Sequence, residues 1–107
     1  MKNVLFICSR NKLRSPTAEA IFATRTGIET DSAGLAVDAA CVLDKDQLAW
    51  ADVIFVMEKR HRTVLARRFK NYLAGKKVVC LDIPDNYQVM QPELVALLEK
   101  RVPPHLR

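Results

Sequence analysis

Short apolar runs alternate along the chain with longer segments in which apolar residues recur at helical spacing. Three runs have the continuous apolar character of buried parallel strands, and they lie at residues 2–7, 52–57 and 77–81. The short segment 28–33, which Gly34 ends, is predicted as one further strand. Helices are predicted at residues 16–25, 44–51, 58–73 and 91–101. Strands that alternate with helices in this way predict an α/β fold, a small four-stranded parallel sheet with helices on both faces.

Two residues mark predicted helix ends. Asp44 is a good N-cap residue for the segment 44–51, and Gly27 stands where a cap is expected after the first helix. The segment 35–43 consists mainly of small apolar residues and predicts no regular element. Cys41 within it is most simply a small packing residue.

Length and composition limit the class of protein. A chain of 107 residues predicts one domain, spanning residues 1–107, with a single hydrophobic core. Hydrophobic residues make up 50% and charged residues 27%, which is typical of a globular protein. The net charge of +5 favours anionic partners. The first apolar run is too short for a signal peptide or a membrane span, so we expect no membrane association.

The cysteines and histidines give no sign of a metal site or a disulfide framework. The chain has 3 cysteines and 2 histidines, without the paired spacing of zinc ligands. We therefore expect no metal and no other cofactor. An odd number of cysteines without a framework is typical of a reducing compartment, so a cytoplasmic location is expected.

One polar stretch, Cys8–Ser15, separates the first strand from the first helix. A loop in this position directs backbone N–H groups to one point, and the helix dipole adds partial positive charge there. The stretch, named here the anion loop, is therefore predicted to bind phosphate-like anions. It contains no glycine, and Asn11, which tolerates positive φ, is the expected site of its sharp turn.

Two residues of the anion loop carry the predicted chemistry. Cys8 ends the strand beside a helix N-terminus and an arginine, and its thiolate is a nucleophile. Arg14 offers a planar fork of donors that can bind two phosphoryl oxygens at once. Ser15 is a good N-cap residue, and its hydroxyl can also donate a hydrogen bond to the Cys8 sulfur.

The order of these residues resembles a known family. Cys-x5-Arg-Ser-Pro directly after an N-terminal strand, followed by Ala18-Glu19-Ala20, looks like the low-molecular-weight protein tyrosine phosphatases. The segments 31–34 and 51–57 resemble that family as well. The resemblance implies strand order 2-1-3-4, with active-site loops at the carboxyl ends of the strands. It also implies hydrolysis of a phosphomonoester, through a phosphocysteine intermediate, in a phosphotyrosine-containing protein or a small aryl phosphate.

The resemblance assigns roles to residues of this chain. Catalysis is expected from Cys8, Arg14 and Asp85, of which Asp85 is the general acid. Substrate binding is expected from the other residues of the anion loop and from one tyrosine: Ser9, Arg10, Asn11, Lys12, Leu13, Ser15 and Tyr87. Ser32 and His61 are expected to support the loop by hydrogen bonds, although for Ser32 an ordinary strand end is an equal alternative.

The general acid comes from the motif Pro84-Asp85-Asn86-Tyr87, where the family has Asp-Pro-Tyr. Asp85 and Tyr87 match the family's motif, while Asn86 stands in the place of its proline and leaves the loop less rigid. Tyr87 is expected to form a wall beside the substrate ring. Asp82, which precedes the motif in the same loop, is the alternative acid.

The chain also departs from the family in the anion loop and in the segment that follows the predicted strand 28–33. Leu13 stands where many members carry a second cysteine. Arg10 and Lys12 replace small or apolar residues, and they are expected to select an acidic peptide or a polyanionic substrate. The segment 35–43 lacks most of an insertion that longer members carry, so substrate-flanking residues placed there are expected to be missing.

Two further functional classes fit parts of the pattern. A thiol-dependent arsenate reductase can share this fold and loop, but it needs resolving cysteines, and Cys80 lies inside a predicted strand. A non-catalytic phosphate- or phosphopeptide-binding module would keep the anion loop without a working acid. The basic helix 58–73 is interpreted as a solvated face, and no nucleic acid is expected, because no aromatic residues interleave its charges.

Overall fold

Four parallel strands form the centre of the protein. The computed structural model describes residues 2–106. The strands are β1 (Lys2–Cys8), β2 (Ile28–Gly34), β3 (Val53–Val56) and β4 (Lys77–Cys80). Neighbouring strands pair in parallel in the order β2-β1-β3-β4. The predicted fold class and strand order are therefore confirmed.

Four α-helices connect and flank the strands. They are α1 (Arg14–Phe22), α2 (Lys45–Trp50), α3 (Lys59–Phe69) and α4 (Pro92–Arg101). Short 3-10 turns follow α3 at Lys70–Tyr72 and α4 at Pro103–His105. Within residues 2–106, no helix has the length and the apolar character needed to span a bilayer.

Helix α1 ends earlier than the sequence predicted. Its last carbonyls accept hydrogen bonds from the Thr24 hydroxyl, which reaches Ile21 O, and from the Arg25 amide, which reaches Phe22 O. Gly27 was the expected cap, but it lies beyond these polar contacts with φ +88°. Its positive φ turns the chain into β2, so Gly27 serves the strand rather than the helix.

Reciprocal hydrogen bonds begin α2 and α3. Asp44 accepts from the Gln47 amide and the Gln47 side chain accepts from the Asp44 amide, which confirms the predicted N-cap. At α3 the ring of His61 accepts the amide hydrogen of Glu58 through Nδ1 at 3.1 Å. This contact fixes the ring of His61 relative to Glu58, which lies just after β3.

Strand β1 lies inside the sheet, and its side chains enter hydrophobic cores on both faces. Residues Val4–Ile7 are completely buried, and alternate side chains point to opposite faces. On one face, Phe6 stacks between Phe22 of α1 and Phe55 of β3, with ring centroids 5.9 and 5.4 Å away. The core on the other face includes Leu5, Ile7, Leu48 and Leu65. The carboxyl end of β1, where Cys8 lies, is therefore held from both sides.

The segment 35–43 runs along the anion loop and is bonded to it. Three backbone hydrogen bonds join the two, from Leu35 N to Cys8 O, from Ala36 N to Ser9 O and from Ala40 N to Arg10 O. The predicted packing role of Cys41 is wrong, because its side chain is exposed. The buried apolar positions of the segment are Leu35 and Leu43, and the chain between them turns outward.

Gly34 makes this close contact possible for reasons of space. A Cβ atom at position 34 would lie 2.7 Å from the Ser9 carbonyl oxygen and 2.6 Å from Ala39 Cβ. Neither distance is compatible with van der Waals packing, and the Ser9 oxygen belongs to the backbone. Any larger side chain at Gly34 would therefore push the anion loop away from the segment 35–43.

We expect Gly34→Ala to lower the free energy of unfolding by about 1–3 kcal/mol, the usual cost of forcing an extra carbon into a packed site. Urea unfolding of the wild type and the variant measures the difference. Ala96→Ser, which adds one atom to an exposed position of α4, is the control and should shift the free energy by less than about 0.5 kcal/mol. Equal stability of Gly34→Ala and wild type would contradict the close contact.

Candidate active site

The sulfur of Cys8 lies at the carboxyl end of β1, surrounded by hydrogen-bond donors. The residue is 3% exposed. Ser15 Oγ is 2.9 Å from Sγ, and the backbone amide of Asn11 donates to Sγ at 3.2 Å. Donors around an acceptor sulfur stabilise negative charge on it. These contacts fit the expected role of Cys8 as a nucleophile, which stays a prediction.

Asn11 forms the sharp turn of the anion loop, as predicted. Its φ is 58°, and its side-chain amide donates to Ser15 Oγ and to Ser32 Oγ, both at 2.9 Å. Because Ser15 Oγ accepts from Asn11, its own proton is available for the Cys8 sulfur. The predicted hydrogen bond between Ser32 and the loop is present through Asn11, while the supporting role of Ser32 stays a prediction.

Arg14 is buried beneath the loop and anchored through one of its terminal nitrogens. The side chain is 2% exposed, and Nη1 donates to Glu58 Oε2 at 2.6 Å and to the Ile83 carbonyl oxygen at 2.7 Å. These two contacts use Nη1 and leave the Nε–Nη2 edge of the guanidinium for the cavity that Arg14 lines. That edge has the geometry that binds two oxygens of a phosphoryl group.

Glu58 is shared between two arginines. Its Oε2 lies 2.6 Å from Arg14 Nη1 and 3.0 Å from Arg60 Nη2. The hydrogen bond from Arg60, with the contribution of Arg14, lowers the pKa of the Glu58 carboxyl to about 2, although partial burial acts in the opposite direction. No role in the site was predicted for Glu58. The available signal was an acidic residue directly after β3, at the same sheet edge as Cys8.

His61 links this carboxylate region to the anion loop in a neutral form. Burial, together with the nearby cations Arg14 and Arg60, lowers the pKa of His61 to about 4. Since Nδ1 accepts from the Glu58 amide, the hydrogen-bond network assigns the proton to Nε2, which lies 2.9 Å from Ser9 Oγ. The hydrogen bond toward the loop that the resemblance implied is therefore present, and the supporting role stays a prediction.

A cavity of about 470 Å³ opens above the Cys8 sulfur. Its lining residues are Cys8, Ser9, Arg10, Lys12, Leu13, Arg14, Arg60 and Asp85. The predicted site residues Asn11, Ser15, Ser32 and His61 are buried around the loop, not on the cavity surface. Arg60, which was predicted to lie on a solvated helix face, is an unexpected member of the lining.

The two candidate acids occupy different places in the loop after β4. Asp85 lines the cavity, and its Oδ1 lies 3.7 Å from Arg14 Nε. Asp82 has φ 54°, and its carboxylate accepts from the Cys80 thiol at 3.4 Å. Asp82 is not among the residues that line the cavity. The geometry favours Asp85 over Asp82, while the acid role itself stays a prediction.

The structure does not place Tyr87 on the wall of the cavity. Its partly buried side chain packs against the hydrophobic core that contains Phe6 and Leu94. Of the described residues that line the cavity, Leu13 is the only one with an apolar side chain besides Cys8. Leu13 therefore lies where a substrate ring would be contacted, the position that was expected for Tyr87.

Within residues 2–106, no group of three or more His, Cys, Asp or Glu residues has the arrangement of a metal site.

We expect the burial of neutral His61 to make the fold sensitive to acid. The pKa of His61 is about 4 in the folded protein and about 6.5 in the unfolded chain. The free energy of unfolding therefore has its full value above pH 6.5 and decreases as the pH falls toward 4. The loss by pH 5 should be about 2 kcal/mol. Urea unfolding at pH 7.5 and pH 5 measures it. His61→Gln should be less stable at pH 7.5 but should lose less on acidification; an equal loss in both proteins would contradict this account.

The comparisons with known proteins agree with this geometry. The sequence model of the family "Low molecular weight phosphotyrosine protein phosphatase" matches residues 3–45, which include β1, the anion loop and β2. No curated protein sequence matches the chain.

Solved structures match almost the whole chain. The YwlE arginine phosphatase from Geobacillus stearothermophilus superimposes with a TM-score of 0.78 at 23% identity, covering 99% of this chain and 93% of that one. A low molecular weight protein tyrosine phosphatase from T. tengcongensis gives 0.74 at 22%, with 94% and 92% covered. A YwlE variant with a phosphorylated active-site serine gives 0.68 at 23%, with 92% and 91% covered. The predicted resemblance is confirmed: this chain is similar to the low molecular weight phosphotyrosine protein phosphatases in its fold and in the sequence of its anion loop.

Proposed function

We propose that this protein is a phosphomonoester hydrolase of the protein tyrosine phosphatase type, with Cys8 as its nucleophile. The comparisons support a thiol-based phosphatase. The observation that carries the proposal is the floor of the cavity. There the Cys8 sulfur meets two donors, and buried Arg14 presents its Nε–Nη2 edge to the same space, with Asp85 Oδ1 3.7 Å from Nε.

In the first step, the Cys8 thiolate attacks phosphorus in line with the leaving oxygen. The S–P bond forms as the P–O bond to the leaving group breaks. The Nε–Nη2 edge of Arg14 and amides of the anion loop stabilise the equatorial oxygens. The Asn11 amide is directed at the sulfur instead, so it stabilises the nucleophile rather than the phosphoryl group. Asp85 gives its proton to the leaving oxygen.

In the second step, water attacks the phosphocysteine, and Asp85 accepts a proton from that water. A new P–O bond to the water oxygen forms as the S–P bond breaks. Inorganic phosphate is released and the Cys8 thiolate is regenerated. The Ser15 hydroxyl, 2.9 Å from the sulfur, donates to the thiolate as it leaves. Asp85 Oδ1 lies 3.7 Å from Arg14 Nε, which puts the acid beside the reacting centre.

The substrate is a phosphorylated protein or a small phosphate ester, and within this class we propose phosphotyrosine. The cavity of about 470 Å³ lies within the usual range of small-molecule sites, about 300–1,000 Å³, and the Leu13 side chain can contact an aromatic ring. One structural neighbour is named an arginine phosphatase. Phosphoarginine is therefore the competing substrate to test.

The two other cysteines do not support an arsenate reductase. Cys41 is exposed, and neither Cys41 nor Cys80 is among the residues that line the cavity. Burial raises the pKa of the Cys80 thiol, which makes it a poorer nucleophile for disulfide exchange.

All three cysteines are free thiols, and a reactive thiolate functions best where thiols stay reduced. We therefore propose that the protein acts in the cytoplasm.

Cys8→Ser should abolish the turnover of an aryl phosphate while keeping the wild-type circular dichroism spectrum. The reason is that a serine hydroxyl lacks the nucleophilicity of a thiolate. The structural neighbour with a phosphorylated serine suggests that slow single phosphorylation of Ser at this position is compatible with that result, and mass spectrometry would detect it. Cys8→Ala should show neither turnover nor phosphorylation. Repeated turnover by Cys8→Ala would remove Cys8 as the nucleophile.

Asp85→Asn should lower kcat by about 10²–10⁴-fold for a poor leaving group such as the tyrosine phenolate. The effect should be much smaller for an activated leaving group, because its anion departs without a proton. Steady-state kinetics with a series of aryl phosphates measures this dependence. Asp82→Asn is the matched control and should show none. The opposite result would assign the acid to Asp82.

A further inference from the structure

The opening of the cavity carries more positive charge than the phosphoryl chemistry uses. Arg14 lies on the buried floor, whereas Arg10, Lys12 and Arg60 line the cavity with exposed side chains. The side chains of Arg10 and Arg60 are 63% and 60% exposed. Within residues 2–106, Asp85 is the single acidic residue of the lining. We call Arg10, Lys12 and Arg60 the cationic rim.

The neighbouring carboxylates neutralise the cationic rim only in part. The Glu58 carboxylate is shared by Arg60 and the buried Arg14, so one negative charge pairs with two positive charges. Asp38 lies 3.8 Å from Arg10 Nη1 and is itself mainly exposed. Lys12 forms no ion pair with any residue in the described range 2–106. A positive field therefore remains at the cavity mouth.

We infer that the cationic rim selects acidic substrates, namely protein segments in which carboxylates flank the phosphorylated residue. This inference rests on the proposed phosphatase function and adds a substrate class to it. The rim groups come from two elements, the anion loop and α3, and they lie outside the buried floor. Flanking residues of a peptide would lie at these places while the phosphorylated side chain enters the cavity. A compact polyanion would instead need cations that converge on one point.

The same charges disfavour a cationic substrate. The guanidinium group of phosphoarginine, or lysines beside a phosphotyrosine, would approach three cations of the rim. Repulsion between like charges makes binding less favourable, and the effect is strongest at low ionic strength. The cationic rim therefore predicts a ranking of substrates as well as a preferred one.

Three phosphotyrosine peptides of equal length, flanked by Glu, by Gln or by Lys, test the inference. We expect kcat/KM to decrease in the order Glu, Gln, Lys. The ratio of the Glu to the Gln peptide should be about fivefold at low salt, since exposed ion pairs contribute up to about 1 kcal/mol. It should approach one near 1 M salt, where the Debye length is about 3 Å.

Charge-removing variants then test the residues of the rim. Lys12→Gln and Arg60→Gln should each lower the Glu/Gln ratio by roughly twofold, and a ratio of two peptides cancels any effect on the chemical step. Arg67→Gln is the matched control. It removes the same charge from an exposed position of α3, about 10 Å further along the helix axis, and it should keep the wild-type ratio.

Equal kcat/KM for the Glu and Gln peptides in the wild type would overturn the inference. So would an equal fall of the ratio in Arg67→Gln and Arg60→Gln, or faster hydrolysis of a small bisphosphate than of any peptide. If neither a peptide nor a small aryl phosphate were hydrolysed, the phosphatase proposal itself would fail. The cationic rim would then be judged by the binding of the same peptides to Cys8→Ala, where equal affinity for the Glu and Gln peptides would overturn it.

Discussion

The burial of one arginine constrains the whole site. Arg14 lies at the start of α1 with almost no exposure, and a buried guanidinium without partners would cost several kcal/mol. Its partners come from the segments that follow two other strands, Glu58 after β3 and the Ile83 carbonyl after β4. The ends of β1, β3 and β4 must therefore meet around one side chain. The same contacts leave the Nε–Nη2 edge of Arg14 for an anion, so the group that stabilises the fold also forms the floor of the cavity.

Glu58 extends this constraint from the floor to the surface. Its carboxylate joins Arg14 to Arg60, and its amide fixes the tautomer of His61 through Nδ1. His61 then reaches Ser9 in the anion loop. Electrostatics and hydrogen bonding thus connect the buried cation, the exposed rim and the loop backbone through one acidic residue. A neutral His61 suits this position, because a third positive charge beside Arg14 and Arg60 would weaken the shared pair.

The fold was predictable because its central signals are strong and local. The apolar run of β1 is buried on both faces, and continuous apolar character is the mark of such a strand. The errors fall where several local solutions exist. Gly27 was expected to cap α1, but Thr24 and Arg25 satisfy the last carbonyls and leave its positive φ for the turn into β2. Cys41 was expected inside, but the backbone contacts of segment 35–43 with the anion loop turn it outward.

The sequence by itself determined the anion loop, because Cys8, Asn11 and Arg14 are close along the chain and a strand-loop-helix passage leaves few ways to arrange them. Only the tertiary structure decided what surrounds it. Glu58 and Ile83 lie 44 and 69 residues from Arg14 in sequence, and their approach depends on strand order and on where each strand ends. Asp85 lines the cavity and Asp82 does not, and this depends on the course of the loop after β4, in which Asp82 has a positive φ. Side-chain direction at such positions follows from packing between elements, which no local pattern of residues records.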